Sequence, residues 1–211
     1  MQESRLFQPH FLSPPRHFQA IPEQPICLEI GAGKGKHAHL FANENPDFIL
    51  YAVERTQEKF DAMQKQQHIQ PLANLHLVHA DAIAWTVHAI YPKQIQRLFL
   101  LYPNPEPHNA TQRWLNMPFF EYLLSRIADG GEIVLASNIV EYLDEAQIRL
   151  QEVWQLPYQR RTIEATSART HFEIKYLERG EHCQELIIQK PTGYVTRFDD
   201  VQPRLGQAAQ R

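Results

Sequence analysis

The residues best placed to do chemistry are Leu28-Glu29-Ile30-Gly31-Ala32-Gly33-Lys34-Gly35, an acid followed by three alternating glycines after a short apolar run, Ile26-Cys27-Leu28. Glycine lets the backbone approach a ligand more closely than any Cβ would permit, and it takes up left-handed dihedrals without steric cost. A buried strand that ends this way is how nucleotide-like cofactors are held. A phosphate loop needs Lys followed by Ser or Thr, to carry phosphate and magnesium. Here Lys34 is followed by Gly35 and Lys36 by His37, so that reading fails. A dinucleotide loop has glycine at its first, third and sixth positions, because the pyrophosphate rests on a helix N-terminus. Counted from Gly31, the sixth position is Lys36. A glycine-rich turn that binds nothing is the plain alternative.

Two further acids follow in order. The run Phe48-Ile49-Leu50-Tyr51-Ala52-Val53 ends in Glu54, 23 residues after Gly31, and Leu75-His76-Leu77-Val78 leads into Ala80-Asp81-Ala82. In doubly wound folds an acid about 20 residues past the first glycine sits at the tip of the neighbouring strand and accepts ribose hydroxyls. Asp81 then stands where a side chain would meet an adenine amine. Either acid alone is commonly a solvated loop residue, but three strand-end signals in the right order argue for a site. The candidate cofactor residues are Glu29, Gly31, Ala32, Gly33, Gly35, Glu54, Arg55, Asp81 and Ala82, with Asn104 at the end of the fourth strand.

These residues need parallel strands to bring them together. Strands are predicted over 26–30, 48–53, 75–78, 96–102 and 132–136, and helices near 34–43, 57–68, 82–89, 117–128 and 141–153. Alternation of this kind implies a parallel sheet with crossover helices. From Tyr158 to Lys190 two strand-like runs follow without a helix between them, as in an antiparallel pair. The expected fold is α/β: a Rossmann-like, doubly wound, seven-stranded sheet, mostly parallel with an antiparallel C-terminal hairpin. Residues 1–25, with Pro9, Pro14, Pro15, Pro22 and Pro25, read as an extended arm, 26–190 as the domain, and 191–211 as a polar, mobile tail.

Composition agrees with one globular domain: 211 residues, 43% of them apolar. Apolar runs such as Leu98 to Tyr102 are far short of a membrane span, and the N-terminus lacks a basic-then-apolar signal pattern. Cys27 and Cys183 have no metal-ligand spacing and suggest no disulfide framework, so both are expected to be buried, in a cytoplasmic protein without a metal. The net charge of −3 gives little help to a protein that must grip nucleic acid, since Lys and Arg supply most non-specific affinity for phosphates.

Four segments together resemble the bacterial tRNA (guanine-N7)-methyltransferase family, a group of class I S-adenosylmethionine-dependent enzymes. They are Leu28 through Gly35 with Asn45-Pro46-Asp47 and Val53-Glu54; Tyr102-Pro103-Asn104-Pro105, similar to the family's Pro-Asp-Pro-Trp; Ser137-Asn138 with Tyr142, where the family has Thr-Asp and a later Tyr; and Thr170-His171-Phe172-Glu173, matching Thr-x-Phe-Glu. The resemblance covers about residues 26–190 and implies S-adenosylmethionine as cofactor and tRNA as partner. It also implies catalytic roles for Asn104 and Glu173, and acceptor-binding roles for His108, Asn138, Thr170, His171, Phe172 and Glu173. The chain departs from the pattern in several places. Asn104 and Asn138 replace acids, Glu106 replaces the tryptophan, His108 stands about where the family has a substrate-binding lysine, and the basic run shrinks to Pro107-His108-Asn109-Ala110-Thr111-Gln112-Arg113.

The implied reaction needs no strong base, because guanine N7 carries a free lone pair and no proton. Catalysis is then mainly in-line positioning and exclusion of water. The purine becomes cationic, and a carboxylate at ~4 Å is worth on the order of 4 kcal/mol at an effective dielectric of 20. Asn104 supplies no such charge, so Glu173 is the candidate replacement, with Thr170 beside it; pairing of Glu173 with Lys175 or Arg179 is the structural alternative. Asn104-Pro105-Glu106-Pro107 also resembles the Asn-Pro-Pro-Tyr of exocyclic amino-methyltransferases, but lacks the aromatic; Tyr102 and Trp114 are nearby. A small-molecule acceptor and a non-catalytic cofactor-binding module stay open alongside these.

Overall fold

A computed structural model describes residues 6–210. Seven strands form one sheet in the order β3-β2-β1-β4-β5-β7-β6. They are β1 (Ile26–Ile30), β2 (Leu50–Glu54), β3 (Leu75–His79), β4 (Ile95–Leu101), β5 (Ile127–Ser137), β6 (Tyr158–Thr162) and β7 (Gln184–Gln189). The first five strands pair in parallel, and β7 runs antiparallel between β5 and β6. The expected mixed sheet is therefore present.

Burial follows place in the sheet. Every residue of β1 and β2 is buried, as central parallel strands covered on both faces require. The edge strand β6, Tyr-Gln-Arg-Arg-Thr, has no buried residue. Alternate residues feed opposite layers. Ile26, Leu28, Ile30, Tyr51 and Val53 join one apolar cluster, whereas Cys27, Leu50 and Ala52 join another. Cys27 and Cys183 are buried free thiols, and burial pushes Cys27 up to about 11.

The helices are α1 (Lys36–Glu44), α2 (Gln57–Ile69), α3 (Ala82–Ala89), α4 (Phe119–Arg126), α5 (Val140–Arg149, continued by a π turn through Trp154) and α6 (His171–Glu178). The last corrects the reading of the C-terminal segment as two strands with no helix between them. Thr170 caps α6, its Oγ1 accepting the Glu173 N–H at 2.9 Å, and Ser/Thr-x-x-Glu is a helix-start pattern. The acceptor motif Thr-His-Phe-Glu is thus the first turn of a helix.

The tail is also docked, contrary to the expected mobility. The buried Arg126 guanidinium donates to the Phe198, Val201 and Ile90 carbonyls at 2.7, 2.8 and 3.1 Å. Phe198 meets Phe7 from the N-terminal segment, whose Leu12, Phe18 and Ile21 also pack on the core. Within that segment Pro9–Phe11 forms one 3-10 turn; residues 1–5 and 211 of the arm and tail lie outside the described residues.

Candidate active site

The strand order reverses direction between β1 and β4, and in open α/β sheets the crevice beyond the strand ends at such a switch point is where ligands bind. A cavity of about 980 Å³ lies there. Its cofactor side contains Glu29, Gly31, Ala32 and Gly33 after β1, Glu54 and Arg55 after β2, and Asp81 and Ala82 after β3.

The loop is built by its own acids. Glu54, 5% exposed, accepts the Gly33 N–H at 2.9 Å through one oxygen and the Thr56 N–H at 2.7 Å through the other. Glu54 also lines the cavity. Glu29 is buried and bonds His37 Nδ1 at 3.0 Å, tying the tip of β1 to α1. Asp81 Oδ1 accepts the Ile83 and Ala84 N–H groups, both at 3.0 Å, which caps α3 and leaves Oδ2 for a ligand.

Gly33, at φ 60°, has open space where a Cβ would point, so its role is dihedral freedom and ligand approach. Gly35 does not line the cavity. At φ 81° it begins α1, and a Cβ there would meet Met63 Cγ at 2.4 Å. Its role is helix packing.

The side of the cavity expected to take the acceptor comes from the other half of the sheet: Asn104 after β4, Asn138 after β5, and Thr170, His171 and Phe172 at α6. Asn104 Oδ1 accepts the Glu106 N–H at 3.3 Å, and Asn138 Nδ2 donates to Glu181 at 2.6 Å. Phe172 is 45% exposed and stacks on Tyr176, which lies 5.6 Å from the Tyr102 ring. Tyr102, Tyr176, Trp114 and Met117 also line the cavity. Of these, sequence reading missed Tyr176 and Met117; helical spacing of four from Phe172 was the signal for Tyr176.

Two assigned residues lie elsewhere. His108 is exposed on the loop and is not among the cavity residues. Glu173 is fully buried behind the wall, where it accepts hydrogen bonds from Tyr102 Oη at 2.7 Å, Ser167 Oγ at 2.5 Å, and the Arg169 side chain and backbone. Its partner is therefore Arg169, not Lys175 or Arg179, and Arg169 continues to Glu185 on β7 at 2.8 Å. Burial pushes the Glu173 carboxyl up, but the bonds from Arg169, Ser167 and Tyr102 outweigh it and hold the group below the usual carboxylate range. Tyr102, pinned by this network, sits at φ 52°, a conformation that costs a bulky residue energy and recurs at functional sites.

A family profile described as "Putative methyltransferase" matches residues 23–186, spanning both halves of this cavity. The chain belongs to that methyltransferase family. Among curated relatives, the tRNA (guanine-N(7)-)-methyltransferase of Nitrosospira multiformis is 26% identical over 177 residues, covering 80% of this chain and 76% of that protein. The enzyme of the same name from Thiobacillus denitrificans is 27% identical over 71% of this chain and 66% of its own length. The Thermus thermophilus relative is 24% identical, and this chain spans 51% of its length.

Solved methyltransferases share the fold. One from Pyrococcus furiosus superposes with a TM-score of 0.59 at 16% identity, over 81% of this chain and 78% of that one. A precorrin-6y C5,15-methyltransferase from Geobacter metallireducens gives 0.58 at 15% identity, over 81% and 82%. The cavity of this methyltransferase fits S-adenosylmethionine: the glycine approach at Gly31 and Gly33, acids at three strand tips, and no pyrophosphate loop. Among the described residues no group of His, Cys, Asp or Glu could hold a metal, and no helix is long and apolar enough to cross a membrane.

Proposed function

We propose that the protein is an S-adenosylmethionine-dependent methyltransferase that methylates N7 of a guanine in tRNA. The observation that carries this reading is the single cavity joining the Gly31–Gly33 loop and Glu54 to the Asn104 loop and the start of α6. The tRNA-modifying relatives, similar across both halves, support the choice of acceptor.

Glu54 and Asp81 hold the ribose and adenine, and the glycine loop lets the methionine part lie against backbone. S-adenosylmethionine supplies an electrophilic methyl group when bound. The chain's own residues bind, orient and exclude water: Phe172 and Tyr176 offer a ring face for the base, while Asn104 and Asn138 offer amide groups to its edge. Glu173 acts by positioning Tyr102. The partner is tRNA, and a tRNA acceptor puts the work in the cytoplasm.

The net charge of −3 understates the local field. Lys34, Lys36, Arg55 and Lys59 line the cavity, and none forms an ion pair among the described residues. Most surface arginines elsewhere are matched by acids, so free positive charge gathers on one rim, where a phosphate chain would cross. Incubation with methyl-labelled S-adenosylmethionine and unmodified tRNA tests the reading. Label in tRNA above a heat-killed control is expected, and none would sink it.

A further inference from the structure

Guanine N7 attacks the sulfonium methyl carbon, the N–C bond forms as the C–S bond breaks, and the electron pair leaves with sulfur. No proton departs, so the purine keeps a positive charge that something must stabilise. Asn104 and Asn138 are neutral, and Glu173 is buried behind the wall against Arg169. The carboxylates lining the cavity are Glu29, Glu54, Asp81 and Glu106. The first three sit on the cofactor side and are engaged by His37, by the Gly33 and Thr56 N–H groups, and by the first turn of α3.

Glu106 differs from these in both respects. It stands on the acceptor side, on the loop after β4, and among the described residues its carboxylate has neither a hydrogen bond nor a cation partner. Its position is nevertheless fixed. Its backbone holds φ 47°, its N–H donates to Asn104 Oδ1, its carbonyl accepts from the Asn109 N–H at 3.1 Å, and Arg113 Nε holds the preceding Pro105 carbonyl at 2.8 Å. Pro105 and Pro107 restrict the backbone on either side. Strain held in place by surrounding contacts is the pattern expected of a residue kept for function.

We infer that Glu106 is the catalytic carboxylate that faces the acceptor and stabilises the cationic purine, in place of the acids that Asn104 and Asn138 no longer provide. This rests on the guanine-N7 reading. Asn104, besides offering its amide to the base, helps to position Glu106 by accepting its backbone N–H.

The test is single-turnover methylation of tRNA by wild type, Glu106→Gln, and Glu106→Gln combined with Asn104→Asp. Half the interaction of opposed charges at ~4 Å corresponds to roughly a thirtyfold rate. Glu106→Gln should therefore slow turnover about that much with tRNA affinity unchanged, and the carboxylate returned at 104 should restore part of it. In parallel, calorimetry in the presence of S-adenosylhomocysteine compares guanosine with cationic N7-methylguanosine. Wild type should favour the cation, and Glu106→Gln should lose that preference. Wild-type turnover in Glu106→Gln, or an unchanged preference for the cation, overturns the role of Glu106 and leaves the proposed function standing. Absence of tRNA methylation by wild type overturns the function, and the nucleoside comparison still decides Glu106.

Discussion

Glu54→Gln separates a cofactor site from a bare strand-to-helix turn. Glu54 is buried, and each of its oxygens accepts one backbone N–H, from Gly33 at 2.9 Å and Thr56 at 2.7 Å. A glutamine of the same shape can satisfy only one of them; its amide nitrogen must face the other donor. The orphaned N–H and the lost charge-assisted bond cost about 1.5–3 kcal/mol. At 1.36 kcal/mol per decade, that is roughly a 10- to 150-fold loss of affinity if the cofactor depends on the loop geometry and the ribose contacts. Calorimetry with S-adenosylhomocysteine reads it directly, and a urea melt of the unliganded protein reports the part that belongs to stability. Affinity within about twofold of wild type, a shift near 0.4 kcal/mol, would refute the reasoning.

Other consequences follow from the same geometry. Gly35→Ala combines a left-handed dihedral, about 1–2 kcal/mol, with overpacking against Met63, about 1–3 kcal/mol. Gly33→Ala carries only the first cost to stability, so urea melts should rank Gly35→Ala as the weaker fold and calorimetry should show Gly33→Ala losing cofactor. Glu173→Gln should cost about 1–3 kcal/mol at neutral pH. Because the folded carboxyl lies below its ordinary 4.5, this contribution is complete above pH 4.5 and fades as pH falls through the lower folded value. Urea melts of both proteins should therefore converge in acid, and a constant gap would contradict the Arg169 pairing. If Lys34, Lys36, Arg55 and Lys59 meet phosphates, log affinity for tRNA should fall with log salt at a slope of about −3 to −4. A flat line would remove them from the interface.

The cofactor half was legible because its signals are local. Gly31, Gly33, Glu54 and Asp81 announce strand ends by type and spacing, and the sheet brings those ends together. α3 matched its expected span at Ala82–Ala89 because an acid precedes an apolar run. The acceptor half was less legible because a decisive partner is distant in sequence. Nothing local to Glu173 reveals that Tyr102 donates to it across 71 residues, and its cation Arg169, four residues before it, competes with Lys175 and Arg179 at similar spacing. Thr170 and Glu173 carry the α6 cap pattern, but the segment between the two strand-like runs is read from those runs instead. Docking of the tail was hidden for a similar reason: Phe198 and Arg204 stand in a mostly polar run, and their partners are Arg126 and Val87 in the body of the domain. Net charge does not resolve this distribution, since it averages paired arginines with the cations at the cavity rim that form no ion pair among the described residues.

The most direct test of the central claim is the chemical identity of the methylated nucleoside. Unmodified tRNA treated with the protein and S-adenosylmethionine, then digested and resolved against standards by mass spectrometry, should yield N7-methylguanosine. Methyl groups found only on an exocyclic amine would contradict the guanine-N7 account and favour an amide-directed acceptor at Asn104.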